Sequence, residues 1–417
     1  MGRLATPPVR LVFVVAASWI MIRSSESPAQ DVPEVRGTPG DITGIPERID
    51  ERLESSDEDA AIVFGGSLVW DTSKNLRGGV DTNGVASRYL IDLTVALNLE
   101  SLLGLPNTTA FVDGQYLDGS SGEDLVGDFQ VFSNIDAAPL EQIGQAWVQT
   151  TFLDDSLRLL VGKLDANVEF AYTLSGGGFL NSSMGFSPTI FVMPTYPAQD
   201  FGILAEYTVS ENWSARLAVF DGVEVLPLFT GPRLEENLLG NNEVFTIAEI
   251  DRRWGEEADG DLGRLVVGGW HHNGTFDRFR GDVQRGTLGF YGTADQWLWN
   301  EGSCERCRTQ GVAAFAQVAW SERQVSFARW HWGGGLAWTG AFDGRDEDVM
   351  GVGVTGVEFS RGTGLTAARE VATELFYQWT LPKDWIVQTD VQVITDPGGV
   401  RSRSDAVATT LRVIKSF

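Results

Sequence analysis

From about residue 60 to the end of the chain, apolar and polar positions alternate with period two. Tyr89, Ile91, Leu93, Val95, Leu97 and Leu99 occupy one parity, with Arg88, Asp92, Thr94, Ala96 and Asn98 on the other. Trp213, Ala215, Leu217 and Val219 stand opposite Ser214 and Arg216. Val371, Thr373, Leu375, Tyr377 and Trp379 stand opposite Glu370, Glu374 and Gln378, and Trp385, Val387, Thr389, Val391 and Val393 opposite Gln388, Asp390 and Gln392. Successive side chains of a strand point to opposite faces, so each segment predicts a strand with one oily and one polar face. Asp154-Asp155, Ser210-Glu211-Asn212 and Pro382-Lys383-Asp384 separate neighbouring copies and read as tight antiparallel joints.

Two architectures accommodate such strands. Soluble sandwiches bury their apolar faces against each other, and a chain of 417 residues would need two or three of them with linkers. No linker composition occurs after residue 60. A membrane barrel turns the apolar face to lipid and the polar face to a wet lumen, and must close so that no backbone group is left unpaired in hydrocarbon. Strands of roughly 9 to 13 residues suit a tilted crossing, and roughly 360 residues at about 22 per strand and joint give about 16 strands. Trp213, Trp320, Tyr377, Trp379 and Trp385 fall at or near strand ends, where an aromatic girdle sits at headgroup level. The expectation is an all-β transmembrane antiparallel barrel of 16 strands over 61–417, with a short N-terminal helical leader.

The leader has two parts. Arg3 and Arg10 precede the apolar run Leu11 to Ile22, and a small-residue stretch ends at Ala29, so 1–29 reads as a secretory signal peptide. Residues 30–60 are polar, and Ile45, Ile49 and Leu53 recur at helical spacing. This segment is either a linker or a short amphipathic helix packed at the barrel mouth. Elsewhere no apolar run reaches the length of a spanning helix.

Composition narrows the partners. With 31 basic and 57 acidic residues the formal charge is −26, and removal of 1–29 leaves 28 basic and 56 acidic residues, a net of −28. Phosphate binding over a nucleic acid needs a basic stripe of the kind such a chain lacks. Acidic rings attract cations, so a channel for cations or basic amino acids is one reading of that charge. Another places it on external loops, where bridging divalent cations and lipopolysaccharide phosphates would meet it. Cys304 and Cys307 form a C-x-x-C without a second pair, and His271, His272 and His331 lack metal-ligand spacing to them. A small loop disulfide or, less simply, zinc would use these cysteines. No nucleophile elbow or phosphate loop occurs, and no cofactor is expected. The adjacent acids Glu123-Asp124 and Glu256-Glu257 leave a hydrolase as the enzyme alternative, although acids on a loop are ordinarily just solvated.

The final strand carries Val407, Thr409, Leu411, Val413 and Phe417 on one parity, interrupted by Lys415, whose ammonium can snorkel to water from near the headgroups. A last strand finishing in Phe resembles the signature by which the outer-membrane assembly machinery of bacteria recognises its clients.

More specific are three stretches in order: Gly162-Lys163-Leu164-Asp165-Ala166-Asn167 with Phe170; Phe179-Leu180-Asn181-Ser182-Ser183-Met184-Gly185-Phe186; and Pro194-Thr195-Tyr196-Pro197 with Phe201-Gly202. Together with Glu374-Leu375-Phe376-Tyr377-Gln378 and Thr395-Asp396-Pro397-Gly398-Gly399 through Asp405-Ala406 to Phe417, they resemble the carbohydrate-selective porins of the OprB family. That resemblance covers most of 60–417 and implies a 16-stranded outer-membrane barrel, monomeric or trimeric, that passes small neutral sugars passively through a polar and aromatic constriction.

Sugars present hydroxyls that need donors and acceptors and C–H faces that pack on rings. Asp165, Asn167 and Asn181 are candidates to meet hydroxyls, or else to pin their loop through bonds to nearby backbone. Gly176, Gly177 and Gly178 permit a loop to fold sharply inward. Arg88, Arg158 and Arg216 lie on the polar parity and would meet sugar hydroxyls or pair with carboxylates across the lumen. Trp147 shares its parity with Gln145 and Gln149 and is the stacking candidate.

Overall fold

The computed structural model describes residues 61–222, 243–255, 262–301 and 310–417. The expected signal peptide, the leader helix, Cys304 with Cys307, and Glu256-Glu257 lie outside the described residues.

Sixteen strands form one closed antiparallel barrel in which every strand pairs with its sequence neighbours and the first pairs with the last. They are β1 Ile62–Arg77, β2 Ala86–Asn98, β3 Thr108–Gly119, β4 Leu140–Phe152, β5 Leu157–Leu164, β6 Asp200–Ser210, β7 Trp213–Asp221, β8 Val244–Trp254, β9 Gly263–Asp277, β10 Val283–Asn300, β11 Gly311–Ser321, β12 Ala328–Thr339, β13 Val349–Phe359, β14 Arg369–Leu381, β15 Trp385–Thr395 and β16 Ala406–Ser416. Closure is made by Trp70 opposite Val413 and Asp71 opposite Arg412, and the Gly66 amide donates to the Phe417 carbonyl at 2.9 Å. No edge is left open, which a spanning sheet requires because hydrocarbon offers no partner to a bare amide.

The outer parity is apolar and exposed, as the alternation predicts. Leu93, Leu217, Val219, Leu375, Val391 and Leu411 all project outward. Aromatic rows mark both ends of the oily belt. Phe290 stacks on Trp320 at 6.2 Å, and Trp320 meets Trp330 at 6.5 Å, near one rim. Tyr377 and Trp379, 4.7 Å apart, lie near the other with Trp213 and Trp385 at their strand starts. Lys415 breaks the outer face at this second rim, where its Nζ lies 3.6 Å from Asp384 Oδ2.

The two rims differ in their connections. At one, tight joints such as 153–156, 211–212 and 382–384 accompany the start of β1 and the end of β16. At the other, the connections include 120–139 and 165–199. Short turns face the periplasm in such barrels and long loops face outside, which orients the chain.

The inner parity departs from the sequence expectation of a uniformly polar face. Ala218 and Phe220 on β7, Phe245 and Ile247 on β8 and Val266 on β9 point inward and are fully buried. They form one apolar cluster with Phe170, Ile190 and Val192 of the 165–199 connection. That loop folds into the barrel and brings its own hydrophobic side chains, so the wall beneath it is oily rather than wet.

Candidate functional site

Two loops enter the lumen. The first, 165–199, begins where Asp165 caps the short helix Ala166–Glu169 by accepting the Asn167 amide at 3.0 Å. The same carboxylate accepts Thr195 Oγ1 at 2.6 Å and the Tyr196 amide at 2.9 Å, so it ties the beginning of the loop to its end. Burial pushes the Asp165 carboxyl above the usual range, while these donors pull it back. Asn167 Nδ2 donates to the Phe170 carbonyl at 3.1 Å. Asn181 caps Ser182–Gly185 through the Ser183 amide at 3.0 Å and donates from Nδ2 to Gln392 Oε1 of β15 at 3.0 Å. All three candidates therefore have side chains engaged in holding the loop.

The inner wall receives the loop with a row of directly opposed charges. Arg158 on β5, Glu206 on β6, Arg216 on β7 and Glu249 on β8 are successive cross-strand partners. Glu206 accepts Arg158 Nε at 2.8 Å and Arg216 Nε at 2.9 Å, and Glu249 accepts Arg216 Nη1 at 2.8 Å. Arg264 on β9 continues the alternation with Asp251 of β8 at 2.8 Å. The loop docks on this row: Glu169 takes two bonds from Arg158, the Ala171 amide donates to Glu249 at 3.2 Å, and Arg264 stacks 4.1 Å from the Tyr172 ring. Such bidentate, charge-assisted contacts are geometrically specific.

Across the barrel a second row runs through Arg88 on β2, Asp71 on β1 and Arg412 on β16. Arg412 donates to both oxygens of Asp71 at 2.7 and 2.8 Å, and Arg88 stands 3.8 Å away. Here the second loop, 120–139, enters: Ser133 Oγ donates to Asp71 at 2.6 Å, and Glu370 of β14 accepts the amides of Phe129 and Gln130 at 2.8 and 2.9 Å. The loop covers a cavity of about 160 Å³ lined by Glu123, Asp128, Phe132 and Asp136. Asp128 Oδ2 and Asp136 Oδ1 are buried without a hydrogen-bond partner. Burial, with the charge of Glu370 behind it, holds the Asp128 carboxyl well above its usual range, and burial also raises Asp136 against the opposing pull of Arg88.

Between the loops the polar parity of β14 and β15 holds main chain. Glu374 accepts the Leu180 and Asn181 amides at 2.5 and 3.1 Å, Gln388 donates to the Gly178 carbonyl at 2.8 Å, and Gln392 to the Phe132 carbonyl at 2.7 Å. Phe179 packs against Phe376 at 4.9 Å and lies so close to Gly353 that a Cβ there would sit 2.7 Å from its ring. This contact gives glycine on β13 a steric reason. Trp147 faces inward as expected, and is covered, 5.2 Å from the Phe111 ring, within the cluster under the loop. Glu206, Glu249, Arg264, Glu374 and Arg412 are additions to the candidates; the signal for them was the same inner parity that singled out Arg88, Arg158 and Arg216.

A sequence profile of the carbohydrate-selective porin, OprB family, matches residues 82–417. The chain belongs to that family. A structure of Pseudomonas putida OprB at high pH superposes with a TM-score of 0.76 at 17% identity, covering 89% of this chain and 96% of the other. The low-pH structure of the same protein gives 0.55 at 15% identity, with 88% and 97% covered. The DcaP channel of Acinetobacter baumannii gives 0.52 at 9% identity, with 85% and 97% covered. No curated protein sequence matches the chain. Family and fold place this OprB-family barrel in the bacterial outer membrane as a carbohydrate channel.

Proposed function

We propose that the chain, once residues 1–29 are removed and 30–60 lead into the barrel, is a passive porin for small neutral sugars, narrowed by the loops 120–139 and 165–199. The observation that carries this reading is the alternation Arg158, Glu206, Arg216, Glu249 along adjoining strands. Charged side chains select an ion when they form a ring of one sign. A wall whose cations and anions neutralise each other in place, beneath the docked loop, favours neither sign. Asp165, Asn167 and Asn181 serve this route by fixing the loop that bounds it, while Arg88, Arg158, Arg216 and Trp147 form the wall on which it rests.

A channel for cations or basic amino acids is favoured instead by the net charge of −28 that remains once residues 1–29 are removed. Planar-bilayer recordings separate the two. Current reduced by glucose or maltose in a saturable way, with a reversal potential near zero in a potassium chloride gradient, supports the sugar route; strong potassium preference without sugar block supports the other. Hydrolysis of a carbohydrate or lipid by the purified barrel would instead revive an enzyme. Assembly rests on Phe417, exposed at the last strand's end, as the mark read by the insertion machinery. Light scattering of the detergent complex distinguishes monomer from homotrimer.

A further inference from the structure

Loop 120–139 carries Glu123, Asp124, Asp128 and Asp136 and no base. Three of these acids, Glu123, Asp128 and Asp136, line the one cavity of about 160 Å³, whose remaining wall is largely apolar and includes Val131, Phe132 and Pro139. Asp128 is only 7% exposed, and among the described residues nothing donates a hydrogen bond to its Oδ2. The Asp136 side chain is 4% exposed; its Oδ2 accepts the Gly122 amide at 2.6 Å, while its Oδ1 has no donor among the described residues. Glu123 is exposed, in the first turn of the short helix Glu123–Val126. Buried polar atoms of a folded protein ordinarily have partners, so two acids with free oxygens on one space either hold protons or meet a cation there.

The fixed charges around the cavity do not neutralise it. Arg412 of β16 spends both its bonds on Asp71 of β1, and Arg88 of β2 is divided between Asp71 at 3.8 Å and the already bonded Asp136 Oδ2 at 3.9 Å. Arg403, from the connection 396–405, donates to the Gly127 and Pro397 carbonyls, and its charge is felt at Glu123. Against these three guanidiniums stand Glu123, Asp124, Asp128, Asp136 and Asp71, with Glu370 of β14 adding its negative charge at Asp128.

We propose that this cavity binds a small solute bearing a primary ammonium group, with Asp128 Oδ2 as its inner acceptor, the charges of Asp136 and Glu123 beside it, and its carbon body along Phe132 and Pro139. An ammonium brings N–H donors and a positive charge together, and its bonds to carboxylate are of the strong, charge-assisted kind. The apolar wall suits a carbon body. A calcium ion fits this wall poorly, because it takes about six to eight oxygens. Among the described residues no three acidic, histidine or cysteine side chains are grouped to hold a metal. Burial, before any neighbouring charge, raises the carboxyls of Asp128, Asp136 and Glu123 above their usual range. The bound ammonium therefore takes the place of a proton, and its affinity increases as pH rises through those elevated values. This inference does not depend on which solute the barrel conducts.

The test is isothermal titration calorimetry of the full-length mature barrel in detergent with butylamine hydrochloride. 1-Butanol lacks the charge and tetramethylammonium chloride lacks the N–H donors. Expected are one saturable site for butylamine, at least tenfold tighter than either control, with an affinity that rises from weakly acidic to neutral pH. Asp128→Asn should weaken it tenfold or more, and the heat-dependent electrophoretic shift reports the folding of that variant. If it does not fold, Glu123→Gln at the exposed edge is expected to weaken binding about threefold. Glucosamine hydrochloride distinguishes the sources of the ammonium: tighter binding than butylamine supports an amino sugar, equal binding supports a simple amine. Binding of either control as tightly as butylamine, an unchanged affinity in the folded Asp128→Asn variant, an affinity that falls as pH rises, or displacement of butylamine by micromolar calcium each overturns the proposal.

Discussion

Glu374 on β14 holds Asn181 from across nearly half the sequence: its carboxylate accepts the Asn181 main-chain amide at 3.1 Å while its other oxygen takes that of Leu180 at 2.5 Å. One side chain of the wall thus fixes two consecutive amides of the inward loop. Bonds from amides to a buried carboxylate are strong, and an amide left without its acceptor carries a desolvation cost of about 1–3 kcal/mol. Replacement by alanine should loosen residues 178–184, seen as faster amide exchange there and noisier single-channel current, with the barrel still formed. Unchanged protection of Leu180 and Asn181 would show that the loop is held by its apolar contacts alone.

Glu206 is shared by two guanidiniums, and its neutralisation should alter ion preference more than it alters folding. In Glu206→Gln, Arg158 retains Glu169 and Arg216 retains Glu249, while the local charge rises by one. The reversal potential in a potassium chloride gradient should move toward that of chloride. Absence of any shift would mean that permeating ions do not sense this row.

On the outside, Leu217 lies midway along β7, between Trp213 and Asp221, and is half exposed on the lipid-facing parity. An arginine at such a depth costs about 2–4 kcal/mol in a membrane barrel. Leu217→Arg should lower stability by that amount in denaturant unfolding from vesicles, whereas Val387→Arg, two residues from Trp385 and opposite Trp379 in the girdle, should cost less. Equal, negligible effects would argue that this face does not contact hydrocarbon.

The raised carboxyls of Asp128 and Asp136 give loop 120–139 a dependence on pH. A folded loop that prefers the protonated acid binds more protons than an opened one, so its stability is full near the ordinary carboxyl value of about 4 and declines as pH rises toward the elevated folded value. Exchange protection of 122–136, corrected for intrinsic rates, should therefore fall between weakly acidic and neutral pH, and Asp128→Asn should flatten that slope while raising protection at neutral pH. A protection that rises with pH would contradict the sign.

The outer surface was legible in the sequence because lipid imposes one rule on every strand: the parity of Leu93, Leu217, Leu375 and Val391 is the same in the structure as in the pattern. The joints at 153–156 and 382–384 were legible for the same local reason, short polar turns between alternating runs. The inner surface was only half legible. Arg88, Arg158 and Arg216 declared their direction, but the partners that neutralise them, Asp71, Glu206 and Glu249, become apparent only once strand register is fixed, since nothing local sets which residue stands opposite which. Phe220, Phe245 and Ile247 broke the polar parity because they answer to the inward-folded 165–199 loop, whose path no local pattern reveals, and Trp147 is covered for the same reason. The roles of Asp165, Asn167 and Asn181 in pinning that loop were among the alternatives their residue types allowed.

The most direct test of an oily exterior around a neutral, polar passage is osmotic swelling of liposomes containing the purified mature barrel. Glucose should enter at least as fast as arginine hydrochloride of comparable size, and larger neutral oligosaccharides progressively more slowly. Liposomes that admit arginine but stay closed to glucose would contradict the account.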